Sequence, residues 1–173
     1  MGESGTRVRS ALRSDGQAIW RILEPVIRAG QTYALDRDMS REAALGYWLA
    51  PGHSAFVAEA ADGIVGTYYL RANQAGGGAH VANCGYVTAD GAEGRGIARA
   101  MAHHSFAEAR RRGFTAMQFN FVVATNERAV RLWQGLGFAT VGRLPDAFRH
   151  PRLGLVDALV MHRALDGEAA AAA

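Results

Sequence analysis

The sequence has no lysine, a single cysteine at Cys84, and no apolar run approaching the length of a membrane span. Each absence narrows what the chain can do. Without lysine there is no Gly-Lys-Ser/Thr phosphate loop, which excludes a nucleotide-hydrolysing site of that design. A lone cysteine forms no internal disulfide, and Met1 to Arg9 lacks the apolar stretch of a secretory signal, so a reducing cytoplasm is the expected compartment. A bilayer-spanning helix needs roughly 18 consecutive apolar residues, so no membrane partner is expected. Net charge is also small. All 19 basic residues are arginines, but the net charge is only +3, and the arginines are scattered among acids except at Arg110, Arg111 and Arg112. That run suits a helix C-terminus, where cations complement the dipole, so no nucleic-acid partner is expected.

What is present is a globular composition, 49% hydrophobic and 20% charged over 173 residues. A core of that size needs no metal or disulfide, and no metal site is expected. Residues 1–165 read as one domain and the alanine-rich segment 166–173 as a frayed tail. Thr6 to Ala11 alternates as a strand. Asp15 then caps a helix whose apolar positions Ile19, Ile22, Leu23, Val26 and Ile27 recur at helical spacing as far as Gly30. Ser40 caps a shorter helix through Trp48. Ser54 to Ala60 and Ile64 to Asn73 form a hairpin around Asp62-Gly63, a dipeptide suited to the positive φ angles of a tight turn. After the glycine-rich loop Gln74 to Gly78 come a strand from His80 to Thr88, a helix from Gly94 to Arg112 and a strand from Thr115 to Val123. A helix from Asn126 to Leu136 and strands Phe138 to Leu144 and Val156 to Arg163 complete the series. This order implies an α/β fold with a mixed sheet and helices on both faces.

The segment Glu93-Gly94-Arg95-Gly96-Ile97-Ala98 lies where a strand gives way to a long amphipathic helix. Glycines there let a phosphate approach the backbone, and the unpaired N–H groups of the first turn favour an anion such as a pyrophosphate. A plain glycine-rich turn is the alternative. A dinucleotide fingerprint would want a small residue where Arg99 stands.

These six residues resemble the acetyl-CoA motif of the GNAT superfamily of N-acetyltransferases, Arg/Gln-x-x-Gly-x-Gly/Ala. Gly96 and Ala98 match, and Glu93 replaces the expected Arg or Gln. A second likeness lies in Asn126 to Trp133 with Leu136-Gly137-Phe138, similar to the family's Asn-x-x-Ala-x-x-Leu-Tyr…Leu-Gly-Phe segment. The resemblance implies the GNAT fold, a mixed and mostly antiparallel sheet of six to seven strands. It also implies acetyl-CoA as co-substrate. Gly94, Arg95, Gly96, Ile97, Ala98 and Arg99 would hold the pyrophosphate, with Glu93 turned to solvent. Val87 and Thr88 would pair with the pantetheine arm, and Asn126 would bond the same arm, cap its helix, or both. Trp133 stands at a cofactor-binding position where many members have a tyrosine that protonates the departing thiolate. Indole cannot do so, yet a thiolate of ordinary pKa about 8.5 leaves without obligatory protonation near neutral pH.

An alkylammonium of pKa about 10.4 must lose a proton before it attacks. Histidine is the residue type suited to a general base near neutral pH, which makes His80 a candidate, though a structural histidine is the commoner reading of such a residue. Asn83 cannot titrate but can orient a neutral amine. His80 and Asn83 have opposite parity on a regular strand, so a bulge is needed for both to face one site. Asn120, polar within Met117 to Val123, is a loop anchor or a ligand contact. Tyr33 and Phe148, alongside Tyr68 and the loop Gln74 to Gly78, are candidates for a small substrate lid. Cys84 reads as a buried thiol rather than a nucleophile. Asn83, Asn120 and Asn126, with the segment Pro145 to Val160, resemble the azetidine-2-carboxylate and proline-analogue acetyltransferase branch. That branch implies direct acetylation of an amino acid or cyclic analogue in a ternary complex. It also implies substrate orientation by Asn83, substrate or acetyl-CoA contacts for Asn120 and Asn126, and a homodimer for which the exposed final strands offer an interface. The alternatives are a protein or peptide N-terminal acetyltransferase and a non-catalytic acetyl-CoA or amino-acid sensor.

Overall fold

The computed structural model describes residues 5–165, so the tail expected at 166–173 lies outside the described residues. The strands are β1 (Arg7–Ser10), β2 (Ser54–Ala60), β3 (Gly63–Ala72), β4 (Val81–Thr88), β5 (Ala116–Val123), β6 (Ala139–His150) and β7 (Gly154–Ala164). The helices are α1 (Gly16–Ala29), α2 (Arg41–Trp48), α3 (Ile97–Arg111) and α4 (Glu127–Gly135). The seven strands form one sheet in the order β1-β2-β3-β4-β5-β7-β6. β4 and β5 run parallel, whereas β1–β2, β2–β3, β5–β7 and β6–β7 are antiparallel. This is the expected mixed sheet of the α/β class. Among the described residues no helix is long and apolar enough to cross a membrane.

The chain gathers into two compact units. The first takes in the chain up to Ala29, Arg37–Arg71 and Cys84–Ser105. In it, Ile19, Ile22, Leu23 and Ile27 of α1 form a buried stripe at helical spacing. β2 and β3 add Phe56, Val57, Tyr68 and Leu70, and α3 adds Ile97 and Met101. Each such side chain contributes about 1.5–3 kcal/mol on removal from water. At Gly66, a Cβ would come within 3.0 Å of both the Ile97 and Met101 side chains, so the missing side chain lets α3 lie against β3. The second unit takes in Gly30–Asp36, Ala72–Asn83 and the chain from Phe106 onwards. Its core is aromatic. Phe119 and Phe138 stack at 4.4 Å, Trp133 meets Phe119 edge-on at 4.8 Å, and the Arg163 guanidinium lies 4.4 Å from the centre of the Phe106 ring.

Four local details depart from the sequence expectation. The helix expected from Gly94 begins at Ile97, because Gly94 and Gly96 adopt left-handed φ values of 75° and 77° that a helix does not admit. Asp15 directs its carboxylate away from α1, accepting from the Leu12 N–H and from Arg9. His80 falls in the turn ahead of β4, so the parity argument for it does not apply. The last two strands continue well past Leu144 and start before Val156. Their register shifts between Leu144 and Phe148, where Pro145 has no N–H to donate and Asp146 takes φ 50°. Asp157 secures the irregularity by accepting from the Asp146 N–H at 3.0 Å.

Candidate active site

In the first unit the segment between β4 and α3 is the main feature. Cβ atoms at Gly94 and Gly96 would have nothing within 4 Å, so these glycines serve the backbone path and an open surface, not internal packing. The Ala100 N–H donates to the Gly96 carbonyl, which leaves the N–H groups of Ile97, Ala98 and Arg99 ahead of the first helical bond. The Ile97 side chain is buried, so its backbone is what it can offer, and Ala98 is half-buried. Arg99 is exposed and forms no ion pair among the described residues. Glu93 is exposed, as its sequence reading requires. Arg95 forms a two-pronged pair with Asp62 of the β2–β3 turn, at 2.8 and 2.9 Å. That bond holds the Asp62 carboxyl at about 2, below the usual carboxylate range. At the end of β4, Val87 is buried and Thr88 half-buried.

The rest of β4 in this unit carries groups that do not ionise near neutral pH. Burial pushes the Cys84 thiol up to about 12 and the Tyr86 phenol well above its ordinary value. The Tyr86 hydroxyl lies 2.7 Å from Ser105 Oγ, and Ser105 donates to the Ala102 carbonyl. Tyr68, considered for a lid, is instead fully buried, stacked on Phe56, with its hydroxyl 2.7 Å from His104 Nδ1.

In the second unit the structure joins two predicted residues through a third that sequence reasoning passed over. Asn73, just beyond β3, is buried, and its side-chain oxygen accepts from Asn83 Nδ2 at 3.3 Å and from Asn120 Nδ2 at 2.6 Å. Gln118 Nε2 in turn donates to Asn120 Oδ1 at 2.9 Å. The amide groups of Asn83 and Asn120 are thereby oriented, and the Asn83 oxygen has no partner among the described residues. The only signal for Asn73 and Gln118 was polarity at the ends of otherwise apolar strands.

The remaining candidates of this unit have the following surroundings. The His80 side chain is exposed, and its carbonyl accepts from the Thr115 N–H. Asn126 caps α4, accepting from the Ala129 N–H at 3.3 Å. Trp133 is 8% exposed within the aromatic core. Phe148 is buried edge-on to Phe121 at 6.2 Å, and Tyr33 is half-buried in the segment that follows α1.

The family model described as Acetyltransferase (GNAT) family matches residues 17–138. An N-acetyltransferase of Schizosaccharomyces pombe is 30% identical over 151 residues, covering 78% of this chain and 72% of that protein. The structure of a GCN5-related N-acetyltransferase from Kribbella flavida superposes with a TM-score of 0.87 at 42% identity, covering 92% of this chain and 97% of the other. The structure of yncA from Salmonella typhimurium with acetyl-CoA shares the fold at 22% identity and a TM-score of 0.81, covering 94% and 95%. From the matched family, the related sequence and the shared fold it follows that this chain belongs to the acetyltransferase (GNAT) family and is an acyltransferase.

Proposed function

We propose that the protein transfers the acetyl group of acetyl-CoA directly to the amine of a small amino acid or cyclic analogue, of the azetidine-2-carboxylate or proline kind. The observation that carries the reading is the open, left-handed glycine segment ahead of α3. It offers the unbonded amides of Ile97, Ala98 and Arg99 to a pyrophosphate, with no side chain at Gly94 or Gly96 in the way. The yncA structure holds acetyl-CoA on the same fold. The exposed Arg99 adds positive charge, and Arg95 joins it by exchanging Asp62 for phosphate oxygens. Amides near Val87 and Thr88 polarise the thioester carbonyl.

The acceptor ammonium first loses a proton to solvent. Its nitrogen then attacks the carbonyl carbon, the C–S bond breaks, and the second N–H proton ends on the departing thiolate. Asn83 holds the amine through its side-chain oxygen, and Asn120 sits beside it in the cluster built on Asn73. The raised thiol of Cys84 argues against an acetyl-cysteine intermediate. The same reading keeps residues 1–165 as one catalytic domain, with a cytoplasmic homodimer as the working form.

The test mixes acetyl-CoA with azetidine-2-carboxylate, proline analogues, common amino acids and short peptides and follows free thiol. Thiol release is expected first with the cyclic acids. Preference for peptides would replace this reading by a peptide N-terminal acetyltransferase, and binding without turnover by a sensor. Absence of any acetyl-CoA-induced rise in melting temperature would remove the reading altogether.

A further inference from the structure

Two buried side-chain nitrogens have no hydrogen-bond partner among the described residues, His53 Nδ1 and Arg71 Nε. Both belong to the first unit and to one polar cluster. His53, just ahead of β2, stacks on Tyr69 of β3 at 4.3 Å and 11°. Arg71 follows Tyr69 by two residues and so shares its face of β3. Its positive charge acts on His53. Tyr47 of α2 meets both rings edge-on, and its hydroxyl lies 3.1 Å from that of Tyr69. Tyr47 is 37% exposed, which puts one edge of the cluster at the surface.

A buried donor without an acceptor is costly, and a guanidinium without a counter-charge more so. Arg71 has no ion pair among the described residues. What the cluster lacks is an acceptor with negative charge. We infer that Arg71 forms a carboxylate subsite, with Arg71 supplying the charge and the stacked His53 and Tyr69 rings its wall, so that the acetyl acceptor is an amine that also carries a carboxylate. The inference rests on the acetyltransferase reading above and names the acid group that this reading leaves without a binding site.

The chemistry selects a monoanion. Burial, with Arg71 nearby, lowers the pKa of His53, although the carbonyls of Trp48 and Tyr47 lean the other way. The imidazole is therefore neutral near pH 7, and the subsite carries one positive charge, matched to a carboxylate and not to a phosphate dianion. Its place in the fold also fits. A Cβ at Gly85 would fall 2.6 Å from Tyr69 Cε1, so the Tyr69 ring occupies the room that Gly85 leaves over β4. Gly85 and Val87 share one face of that strand, so the cluster leans on the stretch of β4 assigned to the thioester.

The experiment compares wild-type protein, Arg71→Met, Arg71→Lys and His53→Gln, each checked for folding by melting temperature and for acetyl-CoA affinity. Azetidine-2-carboxylate is set against its carboxamide as acceptor. Tetrahydrofuran-2-carboxylate, which has ring and carboxylate but no amine, is titrated as a binding probe. Wild type should prefer the acid in kcat/KM by about 10- to 100-fold. Arg71→Met should erase that preference through KM and lose the probe, whereas Arg71→Lys and His53→Gln keep part of both. Equal use of acid and carboxamide by the wild type would overturn the inference while leaving the acetyltransferase reading intact. So would probe binding unchanged in Arg71→Met, which would mean that water alone satisfies the two nitrogens. If no amine is acetylated, the parent reading fails, and the probe titration still decides whether the anion subsite exists.

Discussion

At the scale of single residues, the arrangement of three asparagines gives the sharpest expectation. Asn73 Oδ1 accepts from both Asn83 and Asn120. Asn73→Leu removes that acceptor and leaves two amide NH2 groups to reorient, so kcat/KM for the amine should fall about 10- to 100-fold with acetyl-CoA affinity unchanged. Asn73→Asp keeps an acceptor in the same place and should retain most of the activity; a fall as large as for Leu would mean that Asn73 acts otherwise than by orienting its neighbours. Cys84 gives a second test. With its thiol buried and held at about 12, there is almost no thiolate at pH 8. Iodoacetamide should leave the folded protein unlabelled, and Cys84→Ala should keep kcat within about twofold, a mild packing loss aside. Asn83 and Asn120 were legible in the sequence because an amide inside an apolar strand demands an explanation. Asn73 was not, since an asparagine beside a glycine-rich loop is ordinary turn chemistry. Nor were His53 and Arg71, because their shared environment arises from a pairing of β2 with β3 that periodicity does not display.

Among elements, the β4–α3 junction was legible in kind but misplaced by three residues. Amphipathic spacing identified the helix, whereas the left-handed angles at Gly94 and Gly96 are conformations that composition permits without dictating. The bulge in β6 was hidden for a related reason: the expected strand ended at Leu144, whereas the pairing resumes at Phe148 after the irregularity that Asp157 secures. Gly96→Ala tests the junction. Its Cβ meets open space, but φ of 77° should cost about 1–2 kcal/mol of stability. Gly52→Ala, at φ 90° and equally open, is the matched control. Both variants should melt earlier by similar amounts, and only Gly96→Ala should also weaken acetyl-CoA binding, by isothermal titration. Equal affinity in the two would detach the junction from the cofactor.

For the molecule as a whole, acid stability depends on carboxylates already committed to arginines. Arg9 of β1 donates to Asp15 and to Glu59 of β2, each at 2.7 Å, which ties the first strand to the turn before α1 and to its neighbour in the sheet. The Arg9 hydrogen bond is the chief cause that lowers the pKa of both acids in the folded state. Glu108 of α3 is likewise held at about 2, by Arg111 first and Arg112 with it. Because these folded-state values lie below the unfolded ones, the unfolded chain binds more protons in acid. The stabilisation is complete above about pH 5 and drains away as pH falls below it. The Asp15 side chain is only 9% exposed and also accepts the Leu12 N–H, so Asp15→Asn should cost about 1–3 kcal/mol at pH 7. Once pH falls through the lowered folded-state value of Asp15, the wild-type carboxylate is itself protonated, and the two proteins should converge. Glu24→Gln is the control. It touches only an exposed contact to Arg28 at 3.8 Å and should leave stability unchanged at every pH. Urea unfolding at a series of pH values decides the matter: a gap between wild type and Asp15→Asn that stayed constant from neutral pH into acid would show that the carboxylate contributes by shape and hydrogen bonding alone, without its charge.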